Sequence, residues 1–120
     1  MKVLVVEDDD LVRIVAVDAL EDAGFEVIEA TTGEQAIAVC RERVADALFT
    51  DISLPGSVDG WDIAEHCREH DPHLPVVYAT GHSSLANRLV PGALLFQKPY
   101  QLDLVVESIR RLAGGRPATA

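Results

Sequence analysis

Short apolar runs rich in β-branched residues alternate with segments of helical period along the whole chain. Val3-Leu4-Val5-Val6 is continuously apolar, the pattern of a strand covered on both faces of a parallel sheet. From Asp9 the period changes. Val12, Val15, Ala16, Ala19, Leu20 and Ala23 share one helical face, and Gly24 offers a stop. The exchange then repeats. Strands are expected at Phe25 to Glu29, Ala47 to Thr50, Val76 to Ala79 and Ala93 to Phe96. Helices are expected from Glu34 to about Arg43 (with Thr32 or Gly33 near the start), Gly60 to His70, Ser83 to Leu89 and Leu102 to Leu112. Such alternation through short connections predicts an α/β fold: a five-stranded parallel sheet with helices on both faces.

The 120 residues suit one domain, and 48% apolar content is too high for disorder. No run approaches the roughly 18 apolar residues of a membrane helix. The first apolar run is too short for a signal peptide and leads straight into Glu7-Asp8-Asp9-Asp10. A net charge of −10 disfavours nucleic acid and anionic lipid, and favours cations and basic protein surfaces. Cys40 and Cys67 lack metal-site or Cys-x-x-Cys spacing, so two buried, reduced thiols in a cytoplasmic chain are expected.

In open α/β sheets the polar site lies beyond the carboxyl ends of the strands. Glu7-Asp8-Asp9-Asp10 follow the first strand, Asp51 the third, Thr80-Gly81 the fourth and Lys98-Pro99 the fifth. Each signal is ordinary alone. Acidic runs commonly serve helix N-termini, the preferred reading of Asp9 and Asp10; a lone Asp often caps a turn, and a lone Lys is often solvated. Their joint arrival is specific. Converging carboxylates repel unless a cation joins them, and Mg²⁺ takes such oxygen ligands. Lys98 and Thr80 would then donate to phosphoryl oxygens.

With these stretches, and with Thr50-Asp51-Ile52-Ser53-Leu54-Pro55-Gly56, Asp59-Gly60 and Lys98-Pro99-Tyr100, the chain resembles the receiver domain of two-component response regulators over roughly Lys2 to Leu112. The resemblance implies a flavodoxin-like sheet of order 2-1-3-4-5, a receiver spanning residues 1–113 and a flexible tail at 114–120. It implies that Asp51 accepts a phosphoryl group, with Thr80 and Lys98 contacting its oxygens. Asp8 would ligate Mg²⁺ directly, Glu7 mainly through water, and Asp51 and the Ser53 carbonyl would complete the set. The Lys98-Pro99 bond is often cis in the family. The implied partners are a histidine kinase or phosphotransfer protein and a downstream protein target, with no nucleic acid or membrane and the chain a monomer or weak dimer.

Departures also register. The loop after Asp51 carries one residue more than the commonest spacing before Asp59-Gly60, and Leu95 stands where many receivers place an aromatic ring. Tyr78-Ala79-Thr80-Gly81-His82-Ser83 resembles the "FAT GUY" branch, often single-domain, although Tyr78 and His82-Ser83 differ from its pattern. His82 would flank the phosphoryl group; His66, His70 and His73 read as surface residues. A regulator without an output domain is therefore expected. An excised hybrid-kinase receiver and a pseudo-receiver binding module are the alternatives. An enzyme is not expected, because a phosphatase of this type usually needs a second Asp where Ser53 stands.

Overall fold

The computed structural model describes residues 1–81 and 88–114. Five strands, β1 (Lys2–Val6), β2 (Glu26–Ala30), β3 (Ala47–Asp51), β4 (Val76–Thr80) and β5 (Leu94–Gln97), form one sheet in the order β2-β1-β3-β4-β5. Every pairing is parallel, with Val6 opposite both Ala30 and Thr50, and Asp51 opposite Ala79. The described helices are α1 (Asp10–Asp22), α2 (Gly33–Glu42), α3 (Gly60–His70) and α4 (Leu102–Gly114). The expected helix at Ser83 to Leu89, the role of His82 and the tail beyond Gly114 fall wholly or largely outside the described residues.

Local chemistry sets the helix ends. The Asp9 carboxylate accepts from the Leu11 and Val12 amides and starts α1. Gly24, at φ +95°, takes the chain out of α1. Thr32 caps α2, which ends at Arg43 in the left-handed region. At α3, Asp59 and Asp62 form a reciprocal capping box.

The strands are covered on both faces, so alternate residues feed separate cores. Leu4, Val6, Leu48, Val76 and Tyr78 pack with α2 and α3. Val3, Val5, Ala47, Phe49, Val77 and Ala79 pack with α1 and α4. Burying each Val or Leu this fully contributes roughly 2 kcal/mol, so both faces hold the helices firmly.

Two expectations need correction. Ala16 and Leu20 are the buried residues of α1, whereas Val15 is 54% exposed. Leu11 and Ile14, which the helical period sets off the core stripe, are exposed, and Val15 joins their flank; Val17 packs against the core instead. One step of about 100° separates Val15 from Ala16, enough to leave the contact line. The cysteines are buried but not separate thiols. Packing of α2 beside α3 brings their Cα atoms to 5.1 Å, and a disulfide joins them.

Candidate functional site

The strand order reverses direction between β1 and β3, and their carboxyl ends border the crevice where such folds bind ligands. Glu7 and Asp8 follow β1 directly, and Asp51 is the last residue of β3. Carboxylate oxygens of Glu7, Asp8 and Asp51 all lie within 4.8 Å of one another. Glu7 is 6% exposed and Asp51 8%, whereas Asp8 is exposed. Lys98, just beyond β5, reaches over the end of β4 to this group. Its Nζ donates to Glu7 Oε1 at 2.8 Å and to Asp51 Oδ2 at 3.0 Å.

The electrostatics follow from that crowding. Desolvation of the carboxylate by its neighbours, and a hydrogen bond with Glu7, raise the Asp8 carboxyl above the usual range. Burial alone would lower Lys98, but the hydrogen bonds to Glu7 and Asp51 outweigh it and hold the ammonium firmly protonated. Among the described residues one ammonium faces three carboxylates, so the group is suited to a further hard cation. Its oxygen-only donors fit magnesium better than a soft metal.

The backbone fixes these positions. The Lys98 amide donates to the Thr80 carbonyl at 2.7 Å, and the Ile52 amide to Ala79 at 3.0 Å. Thr80 is 5% exposed at the end of β4, one residue past the register partner of Asp51. Lys98-Pro99 is cis, as the resemblance implied. Ser53 is exposed, two residues beyond Asp51 in the β3–α3 connection. Gly60 packs directly on the acceptor strand: a Cβ there would overlap the Asp51 carbonyl oxygen, and its amide donates to Ile52 at 2.8 Å.

A scan of family models matches residues 3–110 to the response regulator receiver domain. The chain belongs to that family. This receiver is 31% identical to the response regulator receiver protein CpdR of Brucella abortus, over 92% of the chain and 95% of the relative. It is 32% identical to the DNA-binding transcriptional regulator NtrC of Salmonella typhimurium, spanning 91% of the chain but 24% of that protein. The chain likewise spans about a quarter of the NtrX-like relatives. A response regulator receiver protein from Sinorhizobium medicae superposes with a TM-score of 0.93 at 30% identity, covering 98% of the receiver and 97% of that chain. The receiver domain of the hybrid histidine kinase CckA gives 0.80 at 30% identity, over 94% and 99%.

The receiver's structure adds residues that spacing did not single out. Arg13 donates to the Glu7 carbonyl at 3.0 Å while pairing with Asp10 and Glu29, which fastens the acidic loop to α1 and β2. Tyr100 meets the Phe49 ring edge-on beneath the site. Leu11, Val12 and Val15 join Lys98, Pro99, Tyr100 and Leu102 around an open groove of about 560 Å³. Asp10 at three residues before Arg13 was the available signal for the first; for the groove it was Leu11, which with Ile14 lies off the core stripe of the first helix. On α3, Asp62 and Glu65 both pair with Arg88. His66 and His70 are half-buried and His73 is exposed, apart from the carboxylate group.

Proposed function

We propose that this receiver takes a phosphoryl group onto Asp51 from a phosphohistidine of a kinase or phosphotransfer protein, and passes the signal to a protein target. The bridging of Asp51 and Glu7 by Lys98 carries this reading. The phosphorus–nitrogen bond of the donor breaks as a bond forms from an Asp51 oxygen to phosphorus, and the histidine nitrogen leaves. Lys98 turns from Asp51 toward the incoming oxygens, and the Thr80 hydroxyl donates beside it. Glu7, Asp8, Asp51 and the Ser53 carbonyl would hold Mg²⁺, which when bound neutralises charge on the transferred group. The chain itself is not an enzyme in this reading; it works in the cytoplasm as a monomer or weak dimer.

The exposed flank of Leu11, Ile14 and Val15, bordering the groove beside Lys98, suits the apolar face of the donor protein. Leu95 is partly buried against the α2–α3 core, so output without an aromatic ring there is part of the proposal. The deciding experiment is mass spectrometry after incubation with Mg²⁺ and a small phosphodonor. Wild type gains one phosphoryl mass and Asp51→Asn gains none; equal labelling of both sinks the assignment.

A further inference from the structure

Cys40 and Cys67 stand outside the carboxylate site. Cys67 lies seven residues into α3, about 10 Å along the axis from Gly60 and the acceptor strand. The Cα separation of 5.1 Å falls inside the roughly 4.4–6.8 Å range that a disulfide spans without moving backbone. Both residues sit in an apolar core completed by Ala36, Ile63, Ala64 and Leu74. A core of this size folds without a covalent staple, so the dithiol chain keeps the same packing. Two redox states of one fold are available.

Access is unequal. Cys67 is 1% exposed and Cys40 7%. Both line one small cleft with Arg43, Ala45, Asp71 and Leu74, but Cys40 occupies the last turn of α2, where helices open most readily. We propose that Cys40 and Cys67 form a reversible thiol–disulfide site, closed by a low-molecular-weight disulfide of the glutathione class and reopened by the matching thiol. The Cys40 thiolate attacks one sulfur of the small disulfide and releases one thiol. The Cys67 thiolate then attacks the Cys40 sulfur of the mixed disulfide and releases the second. Two protein thiols are oxidised, one small disulfide is reduced to two thiols, and the two protons pass to the products. Closure fastens α2 to α3 at the end away from Asp51.

The test equilibrates the full chain in glutathione buffers from fully reduced to fully oxidised, then counts thiols by alkylation and mass spectrometry. Both thiols disappear together in a monomer lighter by two hydrogens, and excess reduced glutathione restores them. The closed form melts about 10 °C higher, since a crosslink across 27 residues removes conformational entropy from the unfolded chain. The double variant Cys40→Ala, Cys67→Ala shows no dependence on the buffer. Cys67→Ala alone stops as a glutathione adduct on Cys40. The proposal is overturned by thiols that persist in oxidised glutathione, by disulfide-linked dimers as the end product, or by a bond that reduced glutathione leaves closed. It also fails if Cys67→Ala gains no adduct. None of these readings depends on phosphoryl acceptance.

Discussion

Lys98 Nζ lies 3.0 Å from Asp51 Oδ2 across 47 residues of sequence. The side chain leaves the end of β5, passes over β4 and settles between the ends of β3 and β1, where Glu7 also accepts from it. Replacing it tests whether the ammonium serves the reaction or only the fold. Lys98→Met lowers phosphoryl acceptance from a small donor by about 100-fold or more, the usual loss when one such donor is removed. Single-turnover labelling at saturating Mg²⁺ measures it, and labelling within a factor of two of wild type refutes the role.

Magnesium should stabilise the folded chain, because it joins carboxylates that otherwise repel in the native state. At a hundredfold excess over Kd the gain in unfolding free energy is about 2.7 kcal/mol. Asp8→Ala removes most of that gain. Coincident melts of wild type with and without millimolar Mg²⁺ would count against the metal site.

Leu11 is 76% exposed and Val15 54%, so charging either changes stability by only about 0.5 kcal/mol. Val15→Glu is expected to slow transfer from a phosphohistidine protein while leaving small-donor labelling intact. Transfer from the phosphohistidine protein at the wild-type rate would place the docking face elsewhere.

Asp62 is held below the ordinary carboxylate range, first by the Asp59 amide and then against desolvation by Arg88 and Asp59. A depressed folded pKa contributes stability above the unfolded value, and that contribution is lost as pH falls through the folded value. Asp62→Asn therefore destabilises the chain at neutral pH and flattens its acid-side loss of stability below about pH 4. Parallel acid slopes for wild type and variant would contradict this. Asp59→Ala, which removes the other half of the box, costs about 1 kcal/mol.

Gly60→Ala brings a methyl group onto the Asp51 carbonyl, where only backbone can yield. A loss of about 1–3 kcal/mol is expected. Urea unfolding gives the value, and a neutral result would mean that α3 shifts freely on the sheet.

The sheet and most of its helices were legible because the run Val3 to Val6 and the helical stripe after Asp9 differ sharply in period. Lys98 was legible because it stands two residues past the last apolar run, Ala93 to Phe96. Val15 was not, since an apolar residue beside the contact line has the same letter as one on it. Cys40 and Cys67 are 27 residues apart, and only the packing of α2 on α3 makes them neighbours. Arg88 is similar: its partners Asp62 and Glu65 lie more than twenty positions upstream, and no local pattern pairs them.

The hydrogen bond from Gly60 to Ile52 closes residues 52–59 into a loop whose two ends meet. An added residue between such ends has little entropic cost, because closure entropy grows only slowly with length. The extra residue before Asp59-Gly60 is thus absorbed within the loop, and neither Asp51 nor α3 need move. Segment length beyond Ser53 is free to drift while the reacting carboxylate stays in place, so the stretch between Ser53 and Asp59 is where a peptide tag or a new recognition element is best inserted.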